Sequence, residues 1–510
     1  MNNAVGYTAL IACSCLVFCI AGCRTVDVPA SPSHLKYQEI DKPLSVSTGI
    51  LEAEFIAEKL AEQKKKIPPS VSKKPKIADP VWNSVRKLNI DTKDPLTLIE
   101  LVDIALANNP DTRQSWGNTR VARALEKQKE GKLYPQITTS MTLTREKTVA
   151  TLPISNVNDL EYGPSTKLTY LLLDFGGRKA NIEQAFQGIL SADSLYNQAI
   201  QDLLLSVEKN YYQLYSAQSK VEASEDDVKN TKEDFEAAEQ RFEAGLVTKL
   251  DVLQAKSDYE NSLYSLENSK GQVKSARATL AQSIGIPADT EFEIVIPSKI
   301  PPTGISEEDV SAIIEDAIVK RPDIASLRAE LKSKEAAVKS AVSDLLPTLN
   351  LGGTAEANKY KYYNDPASGT KKRDNSYTAY ASVDWDVFDG FYNINKKVQA
   401  DRELDIARDK LIQKQLSVSA DVWIKYYDFY TAVSKFAYSE SFFDTARISY
   451  ELALESYNAG LKSILDLLQS QSRLSEARSR FIQSKEDVFI SLAELAHARG
   501  SVNGKIEKRD

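Results

Sequence analysis

The stretch FEAGLVTKLDVLQAKSDY, residues 242–259, returns in altered form as YNAGLKSILDLLQSQSRL at residues 457–474. The copies begin 215 residues apart (457 minus 242) and share Ala-Gly-Leu, followed by Asp, Leu, Gln and Ser. A Gly directly after a helix can adopt the left-handed backbone conformation that ends the helix. Each stretch therefore predicts the tip of a hairpin made of two helices.

The segments on either side of both tips carry one apolar pattern with a period of seven residues. Before the tips it runs through Leu214, Val221, Val228, Phe235 and Phe242, and again through Phe429, Phe436, Phe443, Tyr450 and Tyr457. After the tips it runs through Val252, Tyr259, Leu266, Val273 and Leu280, and through Leu467, Leu474, Phe481, Val488 and Leu495. A sustained seven-residue repeat is typical of coiled-coil packing. Four such repeats favour long paired helices over isolated amphipathic helices on a globular core.

The rest of the chain is duplicated as well. Asn109-Pro110 and Tyr134-Pro135 are matched by Arg321-Pro322 and Leu346-Pro347, both at an offset of 212 (322 minus 110). Apolar and polar residues then alternate, which predicts strands at about 136–149, 166–175, 348–362 and 377–388. We predict a first repeat over 96–285, a linker at 286–306, a second repeat over 307–500 and a tail at 501–510.

The expected helix lengths predict how the helices pack. No proline occurs from Arg178 to Glu243, which predicts a helix of roughly 100 Å at 1.5 Å per residue. Its expected partners, Asp111–Leu133 and Leu246–Ile284, are each shorter. One long helix beside two short helices placed end to end would bury both apolar faces.

The N-terminus predicts export. Residues 1–22 carry no charged side chain and contain a short apolar core, as in a signal peptide. Ile20-Ala21-Gly22-Cys23 resembles the bacterial lipobox, which implies a diacylglycerol and an N-acyl chain on Cys23. All four cysteines lie at or before Cys23, so the mature chain forms no internal disulfide. The Pro- and Lys-rich residues 23–95 predict an extended segment leading from the lipid.

The strands are long enough to cross a membrane when tilted. Aromatic residues near their ends suit the membrane interfaces: Tyr134, Tyr170, Tyr360, Tyr362, Tyr363, Tyr377 and Trp385. The alternative is a sheet packed on helices in the periplasm. Four strands alone cannot close a barrel, and open edges in hydrocarbon leave backbone groups unpaired. The chain is therefore expected to oligomerise around a shared barrel, and strand counting leaves dimer and trimer open.

The lipobox, the two halves, the strand pairs and the doubled tip motif together resemble the TolC-like outer-membrane efflux protein family, in its lipoprotein branch. The fold class implied is mostly α, with a membrane β-barrel contribution. Long coiled-coil hairpins form an α-barrel, and each chain adds four transmembrane strands. The resemblance also implies a homotrimer whose periplasmic end meets a periplasmic adaptor and an inner-membrane pump.

The resemblance assigns roles to residues at the tips. The adaptor is expected to contact Gly245, Leu246 and Val247 at the first tip, and Gly460 and Leu461 at the second. A Gly without a side chain lets a partner backbone approach closely. Each Gly is also expected to end its helix, and the two roles are compatible.

The resemblance further implies a gate just past the second tip. Asp466 occupies the first position of an acidic ring, whereas Gln469 replaces the acid expected at the second. Lys462, Tyr457 and Asp251 match positions that tie neighbouring helices in the closed state, and a Lys462–Asp251 contact is a hypothesis. The alternative is that Asp466 and Asp251 are first-turn acids favoured by the helix dipole.

Composition narrows the functional classes. The net charge of −7 argues against nucleic acid as a partner, because phosphate binding requires a basic face. The two histidines, His34 and His497, belong to no catalytic or metal-binding spacing. We therefore expect neither an enzyme nor a cofactor, but a passive efflux conduit in the outer membrane. The alternatives are the exit duct of a type I protein secretion system and a periplasmic adaptor lipoprotein.

Overall fold

The computed structural model describes residues 95–148, 157–295, 310–362 and 371–500, which lie within the unit Ala78–Asp510. Cys23, the predicted signal peptide 1–22, nearly all of segment 23–95 and the tail 501–510 lie outside the described residues. No helix in the described ranges combines the length and the apolarity needed to cross a bilayer.

The helices of the two halves correspond one to one. The first half contains α1 (Leu98–Asn108), α2 (Pro110–Glu130), α3 (Gly177–Glu243) and α4 (Lys249–Ser283). The second contains α5 (Val310–Lys320), α6 (Pro322–Ser343), α7 (Tyr392–Asn458) and α8 (Ile464–Ala498). The long helices α3 and α7 have 67 residues each. The predicted duplication is therefore confirmed.

The short helices meet end to end, as the helix lengths predict. Asn109 caps α2 by accepting the Asp111 N–H at 2.7 Å, and its amide donates to the Ser283 carbonyl at the end of α4 at 3.0 Å. In the second half the Arg321 guanidinium, before α6, donates to the Ala498 carbonyl of α8 at 3.2 Å. Each junction joins the start of one short helix to the end of the other.

The helices are arranged around the two long ones. The helix α3 packs against α2 and α4 of its own half and against α6 and α8 of the other. The helix α7 also packs against α6 and α8, which therefore lie between the long helices. Many seven-residue positions are buried, including Leu214, Val252, Leu467 and Leu474, whereas Phe242 beside the first tip is exposed.

The strands are β1 (Gln136–Thr148), β2 (Val157–Leu173), β3 (Thr348–Tyr362) and β4 (Lys371–Asp384). They form one antiparallel sheet in the order β1-β2-β3-β4, so the two halves join through β2 and β3. In the single chain, the outer edges of β1 and β4 have no strand partner within the described residues.

Two strands, β2 and β4, have bounds that differ from the sequence prediction. The strand β2 begins at Val157 rather than at 166, because Gly163-Pro164 interrupts the sequence pattern without ending the strand. The β2–β3 ladder skips both residues, and a Cβ on Gly163 would lie 2.3 Å from the Ala357 carbonyl oxygen. The strand β4 spans Lys371–Asp384 rather than 377–388, because the polar start of β4 pairs with the end of β3.

The two faces of the sheet differ in polarity. One face carries apolar side chains that are exposed in the single chain, among them Ile137, Met141 and Leu143 of β1. The other carries hydroxyls, amides and carboxylates, and there the Asn358 amide and the Tyr360 hydroxyl donate to Glu161 at 2.7 and 2.9 Å. One apolar and one hydrophilic face are what a strand between lipid and water requires.

Candidate functional site at the helical tips

The backbone has the same conformation at both tips. Gly245 and Gly460 follow α3 and α7 with φ of 75° each. The Leu246 N–H donates to the Arg241 carbonyl at 2.8 Å, and the Leu461 N–H donates to the Ser456 carbonyl at 2.9 Å. This hydrogen-bond pattern is the Schellman motif. The predicted role of each Gly in ending its helix is confirmed.

The returning helices α4 and α8 both begin with a capping box. The Thr248 N–H donates to the Asp251 carboxylate at 2.7 Å, and the Ser463 N–H donates to the Asp466 carboxylate at 3.1 Å. In return each Asp N–H donates to the preceding hydroxyl. Both acids therefore stabilise a helix start, the local role weighed as the alternative to gating.

Asp466 is nevertheless available to act beyond its own helix. Asp466 is exposed. Hydrogen bonds from the Ser463 hydroxyl and N–H lower the pKa of its carboxyl, and the positive charge of Lys462 lowers this pKa further. Asp466 therefore stays ionised at neutral pH. Gln469 is also exposed, three residues further along α8.

The tips expose apolar surface beside their glycines. Leu246 is 67% exposed and Leu461 81%, and Leu250 and Leu465 in the next turns are also exposed. Nothing lies within 4 Å of the Cβ position of Gly245. Val247 is half-buried. A partner backbone could therefore approach the glycine while its side chains cover the leucines.

Tyr457 is almost fully buried, and its partner is Arg241, which no sequence pattern singles out. The Arg241 guanidinium donates to the Tyr457 carbonyl, and its carbon lies 4.5 Å from the centre of the Tyr457 ring. The ends of α3 and α7 are thereby joined within one chain. Lys462 forms no ion pair with Asp251 among the described residues, so that contact stays a prediction for the assembly.

A second polar link lies deeper between the same helices. Asp234 of α3 is fully buried, and one carboxylate oxygen accepts the Tyr450 hydroxyl of α7 at 3.3 Å. Its other oxygen has no hydrogen-bond partner within the described part of the chain. Burial raises the pKa of Asp234 to about 7, and the nearby charges of Glu233 and Asp258 act in the same direction.

Both links occur where the two repeats differ. At the offset of 215, Arg241 corresponds to Ser456 and Asp234 to Ser449, while Tyr450 and Tyr457 correspond to Phe235 and Phe242. Both aromatic partners are Tyr in the second repeat where the first has Phe, but many other positions of the two repeats differ as well. A comparison of the repeats therefore does not single out these links.

The fold and tips define a class of protein. A duplicated chain with long helical hairpins, and with a sheet that is apolar on one face and polar on the other, is a channel component. The sequence profile of the family described as Outer membrane efflux protein matches residues 101–286 and 313–501, one match for each repeat. The chain belongs to this family. It is an efflux channel of the bacterial outer membrane that extends into the periplasm, and not an enzyme.

Individual relatives agree with this assignment. Protein CyaE of Bordetella pertussis is 26% identical over 392 residues, which cover 77% of this chain and 81% of that protein. The probable outer membrane lipoprotein SilC of Salmonella typhimurium is 24% identical over 258 residues, 49% of this chain and 53% of that one. The crystal structure of the Campylobacter jejuni CmeC outer membrane channel has a TM-score of 0.68 at 20% identity, covering 81% of this chain and 90% of that chain. The structural likeness supports the fold.

Proposed function

We propose that three copies of this chain, each lipid-anchored through Cys23, form the passive outer-membrane duct of a tripartite efflux system. The duct receives its substrate from an inner-membrane pump through a periplasmic adaptor that contacts the two tips. The observation that carries the proposal is the incompleteness of the single chain. In the part of the chain that the structure describes, the sheet ends in two open edges, and its exposed apolar face needs lipid.

The helices also expose apolar surface that assembly with other copies would bury. The helix α7 presents a row of exposed apolar and aromatic side chains, including Leu416, Trp423, Ile424 and Tyr430. At the other edge, α2 exposes Trp116 and Val121. Exposed apolar side chains that cluster on one surface mark interaction sites. Joining these edges between identical copies would close both the sheet and the helical wall, and a trimer is the assembly that the family resemblance implies.

The proposed adaptor contact is the tip surface formed by Gly245, Leu246, Val247, Gly460 and Leu461. Its exposed leucines supply the apolar area that a helical hairpin of the adaptor would cover. The open space at Gly245 permits close approach of a backbone.

The proposed gate is a ring of Asp466 carboxylates. Three ionised copies near a common axis would repel one another, attract cations and narrow the entrance. Since Gln469 carries no charge, one acidic ring would act alone at this level. Lys462, Asp251 and Tyr457 are proposed to hold the neighbouring helices in the closed state.

Conductance of purified protein in a planar bilayer tests the proposed gate. The Asp466→Ala variant should conduct more than wild type and should lose block by divalent cations. The matched control is Ser463→Ala, which removes the cap of α8 and keeps the carboxylate. Wild-type conductance and cation block in Asp466→Ala would remove Asp466 from the gate, and an equal change in Ser463→Ala would assign the effect to helix capping.

Two further experiments address the anchor and the substrate. Labelled palmitate should be incorporated into wild type and not into Cys23→Ser, and labelling of the variant would refute lipidation at Cys23. Increased sensitivity of a deletion strain to dyes, detergents and antibiotics is expected for solute efflux. A changed set of secreted proteins with unchanged sensitivity would instead indicate protein export.

A further inference from the structure

Cations follow the apolar band on the lipid-facing side of the sheet. They are Arg145 and Lys147 of β1 and Lys359 and Lys361 of β3, all exposed, and we call these four residues the basic belt. Leu160 of β2 is paired with Arg145 on one side and with Lys361 on the other. Tyr162 is paired with Lys359. The belt cations therefore flank β2 on both sides, within neighbouring rows of the sheet.

Carboxylates of the same region lie on the opposite face. Glu161 alternates with Leu160 and Tyr162 along β2, and Glu356 is paired across the sheet with Ser165. The Glu161 carboxylate accepts from Asn358 and Tyr360, and the Glu356 carboxylate accepts from Ser165 at 3.3 Å. Both of these carboxylates belong to the polar face of the sheet.

The belt lies at the depth of a membrane interface. Ile137 and Arg145 are eight positions apart on the same face, about 27 Å along the strand at 3.4 Å per residue. A strand tilt of roughly 40° brings this to about 21 Å across the membrane, close to the apolar band of about 25 Å on outer-membrane barrels. The helices join the sheet at the opposite ends of the strands. If the helices lie in the periplasm, the belt faces the outer leaflet.

We propose that the basic belt binds the phosphate groups of an anionic lipid in the outer leaflet of the outer membrane. This rests on the proposed function, because it requires the sheet to span that membrane with its tips in the periplasm. Arg145 and Lys361 stand two strands apart in one row, about 10 Å at the usual strand spacing. That separation suits a lipid headgroup bearing more than one phosphate, with acyl chains against Met141 and Leu143.

The test uses the purified full-length protein in detergent and native mass spectrometry with bisphosphorylated lipid A as the probe. Replacing all four belt cations with Gln should weaken lipid A binding about tenfold or more, because each cation at a membrane surface contributes separately to anionic lipid attraction. The matched control is Lys167→Gln, which removes an exposed cation from the polar face of β2. Its lipid A binding should equal that of wild type.

Three results would overturn the proposal: wild-type lipid A binding in the four-residue variant, an equal loss in Lys167→Gln, or equal binding of lipid A without phosphates. Competition by millimolar inorganic phosphate would indicate a site for the free anion rather than for a lipid. Conductance measured on the same samples separates this proposal from the channel function. Lipid binding that depends on the belt, in a protein that does not conduct, would contradict only the proposed duct. Conductance in a protein whose lipid binding does not depend on the belt would contradict only the proposed role of the belt.

Discussion

Arg241 is the residue whose role could be recognised only in the folded chain. Its guanidinium joins the ends of α3 and α7 by a hydrogen bond to the Tyr457 carbonyl and by lying over the Tyr457 ring. A cation over a ring contributes about 0.5–2 kcal/mol, depending on desolvation. Because the contact lies next to Gly460, it fixes the position of one tip relative to the other.

Arg241→Met should loosen the second tip, since methionine keeps much of the length and lacks the charge and the donors. We expect faster amide exchange over residues 454–463, measured by hydrogen–deuterium exchange mass spectrometry. Ser456→Ala, at the corresponding position of the other repeat, is the control and should leave exchange at the first tip unchanged. Unaltered exchange in Arg241→Met would show that the contact does not restrain the tip.

The two tip glycines should respond differently to alanine. Both have positive φ, so either substitution should cost roughly 1–2 kcal/mol in backbone strain. A Cβ on Gly460 would in addition lie 3.3 Å from an Arg241 nitrogen, whereas Gly245 has open space. Gly460→Ala is therefore expected to increase exchange at its tip more than Gly245→Ala does. The reverse order would contradict this assignment of the Arg241 contact.

At the scale of elements, the four helices that form the two tips enclose one core, which contains a buried acid. Asp234 lies on α3 near Ala238, Val252, Tyr450 and Tyr457, whose burial is nearly complete. An unfolded Asp ionises near pH 4, whereas the pKa of Asp234 in the folded chain is about 7. The folded state therefore binds a proton more tightly, and stability falls as pH rises between these values.

Asp234→Asn should remove that pH dependence. The amide oxygen can still accept from Tyr450, and Asn does not ionise, so the variant should be more stable than wild type at pH 8 by a few kcal/mol. The difference should shrink towards pH 4. Thermal unfolding at a series of pH values measures it, with Asp409→Asn as the control for an exposed acid on α7. A gain independent of pH would refute ionisation of Asp234 as the cause.

The capping boxes show why two acids at equivalent positions need not have the same function. Asp251 and Asp466 each hold the first turn of a returning helix. Their positions within one chain are thus explained without a gate. Only their distances to the symmetry axis of an assembly can distinguish them.

At the scale of the whole molecule, the described residues of the single chain leave the outer edges of β1 and β4 without a strand partner and an apolar row of α7 exposed. Leu416→Glu on the exposed row of α7 should prevent assembly, because a charge would be buried against a neighbouring copy. Leu416→Met is the control and should assemble normally. Native mass spectrometry measures the oligomer. A trimer formed by Leu416→Glu in wild-type yield would place the interface elsewhere.

The sequence alone determined the duplication, the two tips, the long helices and the four strands of this protein. These follow from local rules: seven-residue periodicity, alternation, proline breaks and glycine at helix ends. It also indicated the family, which the profile match over both repeats confirmed.

Only the tertiary structure decided the start of β2, the polar links through Arg241 and Asp234, and which cations of neighbouring strands share a row of the sheet. The start of β2 depends on pairing with β1 across the Gly163-Pro164 interruption. The polar links join residues more than two hundred positions apart, and their strength comes from burial. Sequence periodicity identifies the side of a helix or strand on which a residue lies. Its partner and its access to water depend on how distant segments pack together.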